Sequence, residues 1–395
     1  MNQKSLAAVT SSASTPWNPG SVLALLMGYF VLFGVTIGGQ GVLWADIIRA
    51  LRISEGVFGS VQLLPPLIAM GLLILGGPLT VVFGKKRLAI TGLTTLGLSL
   101  VWLATASDLR SFTLALALSG LGFGAIEMAM NSATLDWEQQ TGRAVMNLTH
   151  AGFSGGAVLG AFVAGWLLQT GWTYVHILWC MTALCVLVIL STLPVRYPPP
   201  VPAQTTHNGP GSALRLLIGQ RTLLVLAVIS MFGVVGESVA NTWSVIHLRD
   251  LGAAAFVGGA AYALFNGMMF AGRLANAPFV VRFGARVSLL TSGALVVAAG
   301  LLLMIPDSIP AAVAAFALTG LGVAGVVPTA LSEAARHTPA SSGAVTGAIM
   351  TVTYLSFVVC APLVGWMAEL VSLQTALMTV ALSGLGILWL ARTIT

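Results

Sequence analysis

Three charged side chains lie deep inside long apolar runs of the sequence, namely Glu127, Glu237 and Arg273. A formal charge at bilayer depth costs a few kcal/mol, so such a side chain normally faces a cavity or a partner. A carboxyl group in a poorly hydrated site exchanges protons closer to neutral pH than a solvated one does. The sequence therefore predicts that Glu127 and Glu237 couple the protein to protons, and that Arg273 binds a substrate or pairs with an acid. The alternatives for Glu237 are an acceptor for a substrate hydroxyl and a buried acid that only makes a hydrogen bond.

Glu127 and Arg273 are expected at similar depth in the membrane. Each is nine residues from a charged residue near the end of its run, Asp136 for Glu127 and Arg282 for Arg273. At about 1.5 Å per residue this separation is roughly 13 Å of helix. An ion pair between Glu127 and Arg273 is therefore geometrically possible and would bias the protein between two conformations. The alternative is a permanent pair that only ties helices together.

Uncharged polar side chains recur in the same runs at helical spacing. Asn131 follows Glu127 by one turn, and Asn241 follows Glu237 by one turn, so each pair can face one cavity. Histidine titrates near physiological pH and can bind a solute or relay a proton, whereas amides also serve as contacts between helices. The predicted substrate contacts besides Arg273 are His150, Asn131, Asn147, Asn241, Gln40 and Asn266.

The composition identifies the solvent of the helices that must position these side chains. Charged residues make up 7% of the 395 positions and hydrophobic residues 57%, which is typical of a chain folded in lipid. A spanning helix needs about 20 apolar residues, so the chain has room for about twelve. Apolar runs bounded by charges, Gly or Pro predict helices over 22–45, 57–82, 88–106, 111–133, 146–169, 172–193, 221–247, 256–281, 287–305, 309–331, 343–368 and 371–391.

One long polar break divides these helices into six and six. It covers 194–220 and begins with PVRYPPPVPAQ, a proline-rich composition that predicts a cytoplasmic linker. The predicted fold is an all-α membrane protein with two six-helix bundles, over 21–193 and 221–395. A disordered cytoplasmic N-terminus is expected over 1–20.

The distribution of positive charge predicts the orientation. With the N-terminus inside, the inner segments hold twelve Lys and Arg residues and the outer loops hold four. Because short positive loops stay on the cytoplasmic side, both termini are expected in the cytoplasm, next to the inner membrane. The net charge of +6 then reflects topology rather than a nucleic-acid partner. Trp44 and Trp243, at predicted outer ends, are expected to anchor the helices at the membrane interface.

The two halves repeat each other at a shift of 200 residues. GPLTVVFGKKR at 77–87 aligns with APFVVRFGARV at 277–287, and SGLG at 119–122 aligns with TGLG at 319–322. Several matches in register along six helices indicate a duplicated six-helix unit, which is common among transporters.

Two six-helix halves, a linker and a basic, glycine-containing loop after the second helix of each half resemble the major facilitator superfamily. The resemblance implies a monomer whose halves rock around a central cavity to carry a small molecule across the bilayer. In the first loop, Val81 and Val82 stand where the family has an Asp-Arg pair. The predicted conformational loops comprise Gly77, Gly84, Lys85, Lys86 and Arg87 in the first half and Arg282, Gly284 and Arg286 in the second.

The fourth and fifth helices are similar to those of the fucose–proton symporter group. The fourth reads GLGFGAIEMAMN, and the fifth opens with RAVMNLTHAGFSGGA. The resemblance implies that Glu127 is a proton or substrate site and that side chains near His150 face a sugar. The group's acid in the first helix is missing, and Gln40 and Gly41 are its nearest equivalents here.

The sequence thus predicts a secondary active transporter that moves a small polar organic solute, sugar-like or an organic anion, by proton-coupled symport. Its expected partners are the solute, protons and the bilayer. No enzymatic activity, cofactor, metal or nucleic acid is expected, since no phosphate loop, metal cluster or nucleophile constellation is present. One alternative is a drug or metabolite efflux antiporter, although the run from Gly156 to Ala161 lacks the Pro and final Gly usual in such exporters. Another is a non-transporting membrane receptor.

Overall fold

The computed structural model describes residues 17–74, 79, 82–143, 145–197, 217–337 and 342–394. Within these ranges all regular secondary structure is α-helical. Twelve of the described helical stretches are long and apolar enough to span a membrane. The predicted all-α fold with twelve spanning helices is therefore confirmed.

The first half supplies six spans. Its helices are α1 (Pro19–Leu51), α2 (Glu55–Gln62), α3 (Leu64–Ile74), α4 (Lys85–Thr105), α5 (Leu109–Thr141), α6 (Met146–Gln169) and α7 (Tyr174–Thr192). The second span consists of α2 and α3, which are interrupted at Leu63. The interruption has a local cause, because Pro65 and Pro66 lack the N–H groups that a continuous helix would bond to the preceding turn.

The second half supplies the other six spans. Its helices are α8 (Arg221–Asp250), α9 (Ala255–Phe283), α10 (Ala285–Leu302), α11 (Ile309–Val323), α12 (Val326–His337), α13 (Ser342–Leu370), α14 (Leu373–Ala376) and α15 (Met378–Ala391). The tenth span is α11 with α12, interrupted shortly before Pro328, and the twelfth is α14 with α15. An even number of spans puts both ends of the chain on one side, called the termini side below. The opposite side, where α1 and α8 end, is called the far side.

The predicted N-terminal segment and linker fall largely outside the described residues. Residues 1–16 and 198–216 belong to this part of the chain. The first helix begins at Pro19, inside the segment predicted to be disordered, because the Oδ1 atom of Asn18 accepts hydrogen bonds from the backbone N–H groups of Gly20 and Ser21. Such a cap satisfies donors that would otherwise be left open at a helix start.

Helix α5 is longer than the sequence pattern predicts. It runs to Thr141, whereas the prediction ended at 133, and it stops at Gly142, which has a φ of 69°. The charged residues that suggested a loop are accommodated in the helix because Asp136 accepts a hydrogen bond from the ammonium group of Lys85 on α4. With its charge paired in this way, α5 continues through the residues where the sequence pattern predicted a loop.

The sequence repeat extends to the backbone conformation of the basic loops. Gly84 precedes α4 with a φ of 75°, and Gly284 precedes α10 with a φ of 85°. Side-chain-bearing residues rarely adopt such angles, so glycine is required at both positions. The two glycines are 200 residues apart, as the repeat predicts.

The most extensive contacts between the halves are made by two helix pairs that the repeat relates, α6 with α9 and α13 with α2. A side-chain carbon added to Gly259 would lie 2.7 Å from the carbonyl oxygen of Ala161, and one added to Gly59 would lie 2.3 Å from that of Ala361. Each of these residues stands 200 positions from its counterpart. Backbone contact between the halves on the far side thus depends on small residues, as in membrane helix packing generally.

Two ion pairs add to the contact on the far side. The Nη2 atom of Arg249 is 3.3 Å from Asp46 Oδ1, and the Nη2 atom of Arg49 is 3.6 Å from Asp250 Oδ1. Arg49 and Arg249 are themselves related by the repeat, and each pairs with an acid of the other half. Two of the four basic residues assigned to outer loops therefore connect the two halves.

In the part of the chain that the structure describes, the far side is closed and the molecule opens toward the termini side. The ion pairs and glycine contacts between the halves lie near the far ends of their helices. Arg273, which is nearer the termini side on α9, has a side chain that is 41% exposed. Such exposure of a cation between the halves indicates access from the termini side.

Trp44 and Trp243 do not lie at the lipid interface, so the prediction that they are anchors is wrong. Trp44 is 7% exposed and Trp243 is fully buried. The ring of Phe58 lies 5.7 Å from the ring of Trp44 and 5.5 Å from that of Trp243, measured between centroids. Trp44 and Phe58 belong to the first half and Trp243 to the second, so the three rings form an aromatic plug between the halves.

Candidate functional site

A cavity of about 270 Å³ lies between the two halves, next to the aromatic plug. Both halves contribute helices to its wall. Its polar lining consists of Gln40, Gln62, Ser119, Glu237, Ser238, Asn241, Thr242 and Tyr262. Its apolar and glycine lining consists of Ile37, Gly41, Trp44, Pro65, Pro66, Leu116, Phe123, Phe153, Phe357 and Ala361. Aromatic walls with a few polar groups are typical of small-molecule sites.

Glu237 supplies the carboxylate of the cavity wall. Its Oε2 atom is 4.0 Å from Nη2 of Arg273, which is on the neighbouring helix α9. Arg273 therefore pairs with Glu237 of its own half rather than with Glu127. Arg273 partly offsets the charge of Glu237, and the carboxylate is the charged group on the cavity wall.

Asn241 lies one turn from Glu237 and is oriented by Tyr262. The Tyr262 hydroxyl donates a hydrogen bond of 2.8 Å to Asn241 Oδ1, which leaves the Nδ2 group of Asn241 to donate elsewhere. The Tyr262 ring packs against Gly41 of the other half, where an added side-chain carbon would lie 2.7 Å from the ring. Glycine at this position of α1 is what lets the ring reach the cavity.

Gln40 contributes a buried donor to the same wall. The residue is 4% exposed, and its Nε2 atom has no hydrogen-bond partner in the described part of the chain. A buried polar group without a partner costs about 1–3 kcal/mol. Since Gln40 lines the cavity, a turn of its side chain would bring this donor to an acceptor atom of a solute.

Glu127 lies apart from the residues that line this cavity. Its Oε1 atom accepts a hydrogen bond of 3.0 Å from the hydroxyl of Tyr354, which is on α13 of the other half. Tyr354 is also within range of electrostatic interaction with Glu237. The Tyr354 hydroxyl thus binds one of the two acids that the sequence analysis identified and lies within electrostatic range of the other.

His150 and Arg273 belong to opposite halves and both lie outside the cavity wall. His150 is exposed on α6, its ring centroid is 4.9 Å from that of Phe30, and it is within range of electrostatic interaction with Arg273. Both side chains lie on the termini side of the cavity. They line the access route rather than the cavity wall itself.

The remaining predicted amides are dispersed. Asn131 is half-buried on α5, one turn beyond Glu127, and the side chain of Asn147 lies outside the described residues. Asn266 is buried, and its Nδ2 atom donates to the carbonyl oxygen of Tyr262 on its own helix, 3.1 Å away. The site geometry therefore brings together Gln40, Asn241 and Glu237 from the predicted set.

The first basic loop ties helix ends together within its half. Lys85 donates to Asp136 and, at 3.0 Å, to the carbonyl oxygen of Ser132. Lys86 donates to the carbonyl oxygens of Leu193 at 2.7 Å and Val195 at 2.9 Å, where α7 ends. Cations at a helix C-terminus satisfy carbonyl groups that lack a partner there. Gly77 lies outside the described residues, and Arg87 is exposed.

The second basic loop makes weaker contacts. The guanidinium of Arg282 lies over the ring of Phe283, 5.1 Å from the centroid. Arg286 donates to the carbonyl oxygen of Arg392 at 3.2 Å, close to the end of the last helix. Within the described ranges, no three His, Cys, Asp or Glu side chains are grouped as metal ligands.

Sequence reasoning missed the two tyrosines that organise the site. Tyr262 orients Asn241, and Tyr354 holds Glu127. The available signal was a phenolic hydroxyl inside a spanning helix, since such a group needs a hydrogen-bond partner when buried. The identity of that partner depends on the packing of distant helices, which the sequence pattern does not contain.

Comparisons with known proteins agree with this architecture. The family model described as Major Facilitator Superfamily matches residues 22–359. The uncharacterized transporter y4wD of Sinorhizobium fredii is 27% identical, over 93% of this chain and 95% of that protein. A crystal structure of a variant of the nucleoside transporter NupG superposes with a TM-score of 0.81 at 15% identity, covering 94% of this chain and 99% of that one. A crystal structure of the E. coli fucose:proton symporter FucP gives a TM-score of 0.62 at 17% identity, over 94% and 97% of the two chains. The two structural similarities concern the fold.

Proposed function

Because the chain belongs to the major facilitator superfamily and is a multi-pass transporter rather than an enzyme, we propose that it moves a small polar organic solute by proton-coupled symport. The observation that carries this proposal is the hydrogen bond between Glu127 and Tyr354. It joins an acid that has no ion-pair partner among the described contacts to the opposite half of the protein. Protonation of that acid changes a contact between the halves.

The proposed orientation puts the termini side in the cytoplasm and the far side outside the inner membrane. The twelve Lys and Arg residues assigned to inner segments, against four in outer loops, support this orientation. The conformation with a closed far side is then the inward-open state. The protein acts as a monomer in this proposal, since one chain contains both halves and the cavity between them.

The substrate is assigned to the cavity next to the aromatic plug. Gln40 and Asn241 supply donors, Glu237 supplies an acceptor, and aromatic side chains cover the faces of the solute. Ligand cavities for drug-sized molecules measure about 300–1,000 Å³, and a volume of about 270 Å³ is at the lower limit of this range. The size therefore favours a small solute over the bulky compounds of a drug exporter.

The coupling site is assigned to Glu127 alone. Glu237 is paired with Arg273, so we assign it to the substrate instead of the proton. An ionised Glu127 accepts a charge-assisted hydrogen bond from Tyr354, and such bonds are about twice as strong as neutral ones. When Glu127 takes up a proton this bond weakens, and the balance between the two conformations changes by the difference. The proton at Glu127 and the solute in the cavity thus shift the same conformational equilibrium from separate sites.

Uptake into proteoliposomes under an imposed pH gradient tests this assignment. The labelled solute is the compound that gives the largest thermal shift in a screen of sugars, organic acids and amines. Wild-type protein is expected to accumulate it when the outside is acidic. Glu127→Gln is expected to bind the solute and exchange it across the membrane, but to lose accumulation driven by the gradient.

Asp307→Asn is the matched control, because it removes an exposed carboxylate from a far-side loop. It is expected to accumulate solute like the wild type. Accumulation that is independent of the gradient in the wild type, or that persists in Glu127→Gln, would contradict the proposed coupling. Solute export under the same gradient would instead support an antiporter.

A further inference from the structure

The polar wall of the cavity carries information about the charge of the solute. Resting on the transport function above, we infer that Gln40 and Glu237 together select an uncharged solute, which presents a hydrogen-bond acceptor to Gln40 and a donor to Glu237. This inference narrows the two solute classes suggested by the sequence, sugar-like or organic anion, and excludes the anion.

Gln40 carries a buried amide next to the cavity. Its Nε2 atom has no hydrogen-bond partner in the described part of the chain, although the residue is only 4% exposed. A turn of the Gln40 side chain lets an acceptor atom in the cavity satisfy this donor, whereas a solute without an acceptor would leave it unpaired. Asn241 adds a second donor, since Tyr262 already occupies its oxygen.

The charge on the cavity wall comes from a carboxylate. Glu237 is the acid on the cavity wall, and Arg273, which is absent from that wall, lies 4.0 Å from its carboxylate. An anionic solute would lie close to the carboxylate, whereas the guanidinium that offsets this charge is not part of the wall. A cationic solute would have to compete with Arg273 for the same carboxylate. An uncharged hydroxyl or N–H group donates to Glu237 without either conflict.

Aromatic rings line the cavity and limit the shape of the solute. Phe123, Phe153 and Phe357 line the cavity from three helices of the two halves, and its volume is about 270 Å³. Flat aromatic faces pack well against the face of a ring, and the volume has room for a single ring with polar substituents. The inferred solute is therefore a neutral single-ring compound whose substituents include both acceptors and donors.

Two matched series of probes test the inference, because the members of each series share a ring and differ in charge. One consists of glucose, glucosamine and glucuronate, and the other of nicotinamide, aminomethylpyridine and nicotinate. Binding to the purified full chain is measured by thermal shift and by isothermal titration calorimetry. In at least one series, the neutral member is expected to bind about tenfold more tightly than either charged member.

Two substitutions at Gln40 then separate a binding role from a packing role. Gln40→Leu keeps the volume but removes the donor, and is expected to weaken binding of the neutral member by about tenfold. Gln40→Glu keeps the size and adds a negative charge, and is expected to move the preference to the cationic member. Gln169→Leu makes the first exchange outside this cavity and is expected to leave all affinities unchanged.

The outcomes are distinguishable from failure of the transport proposal. Tighter binding of an anionic member, an unchanged order of preference in Gln40→Glu, or no binding of any probe by folded wild-type protein would overturn the inference. If gradient-driven uptake of another solute persists in that case, the proposed symport stands without it. Loss of gradient dependence alone would overturn the coupling and leave the assignment of Gln40 intact.

Discussion

At the scale of single residues, the hydroxyl of Tyr354 is the smallest feature with a testable consequence. Tyr354→Phe removes the donor to Glu127 and keeps the aromatic ring. The ionised carboxylate loses a hydrogen bond worth about 1.5–3 kcal/mol, so protonation becomes easier. We expect the pH of half-maximal uptake to rise by about one unit, since one unit corresponds to about 1.4 kcal/mol. Accumulation driven by the gradient should also fall, because protonation of Glu127 no longer weakens a hydrogen bond between the halves.

The measurement is solute uptake as a function of pH in proteoliposomes. Tyr174→Phe, on the far side and away from Glu127, is the control and should leave the pH profile unchanged. A variant with slower uptake but an unmoved pH midpoint would assign Tyr354 a packing role only.

The residue scale also shows how far the sequence pattern reaches. Glu127, Glu237 and Arg273 were recognisable because a charge in an apolar run is rare. Their partners were not recognisable, since Arg273 was matched to Glu127 by depth and pairs with Glu237. Depth along a helix follows from counting residues, but the direction of a side chain around the helix axis depends on packing.

At the scale of helices, the close contact of α6 with α9 depends on glycine. Gly259→Ala puts a carbon 2.7 Å from the carbonyl oxygen of Ala161, so one backbone has to move. We expect a loss of stability of about 1–3 kcal/mol, as for other overpacked sites. Because of the repeat, Gly59→Ala should have a similar effect.

The check is the midpoint of thermal unfolding in detergent. Gly155→Ala on α6 is the control, because nothing lies within 4 Å of the added carbon. It should leave stability unchanged or raise it by up to about 1 kcal/mol, since alanine favours helix over glycine. Equal losses in Gly155→Ala and Gly259→Ala would contradict this account of the interface.

The ion pair between α4 and α5 gives a second prediction at this scale. The side chains of Lys85 and Asp136 are 18% and 8% exposed. Lys85→Met leaves the carboxylate of Asp136 buried without its cation, which costs about 3–5 kcal/mol when a buried pair is broken. We expect a large drop in the unfolding midpoint.

The double variant Lys85→Met/Asp136→Leu removes both charges and should recover most of that loss. Additive losses in the double variant would show that the two residues act independently. The pair also explains the length of α5, which the sequence prediction ended before Asp136 because charges usually mark the end of an apolar run.

At the scale of the whole molecule, the ion pairs on the far side bias the conformation. Arg249→Gln removes the partner of Asp46, and the pair is about a quarter exposed, so its contribution is about 1 kcal/mol or less. We expect the far-side-closed population to fall severalfold at most. Distances between spin labels at Thr170 and Ala254, in loops of the two halves, measure this population.

Salt provides an independent check on the same contacts. The pair of Arg49 with Asp250 is nearly half exposed, so high salt should reduce the closed population of the wild type and have less effect on an Arg49→Gln/Arg249→Gln variant. A charge swap, Arg49→Asp with Asp250→Arg, should restore the wild-type distances. Unchanged distances in all variants would mean that glycine contacts alone hold the far side closed.

The sequence by itself determined the class of fold, the number of spans and the duplication. These follow from hydropathy and a 200-residue repeat, both of which are local or periodic properties of the chain. Hydropathy and the repeat predicted the breaks inside the second and tenth spans less well, because the effect of Pro65 or Pro328 depends on the helix around it. The opposite orientation of Trp44 and Trp243, inward instead of toward lipid, shows the same limit, because position near a helix end does not specify the face.

Only the tertiary structure decided which half each polar group contacts. The hydrogen bond from Tyr354 to Glu127 joins residues 227 positions apart, and the pair of Arg249 with Asp46 joins residues 203 positions apart. Gln40 is a further example. The sequence made it one weak candidate among several amides, and the tertiary structure shows that it is a buried donor beside the cavity. Such pairings depend on how helices rotate and tilt against each other, and that geometry is set by the packing of both halves together.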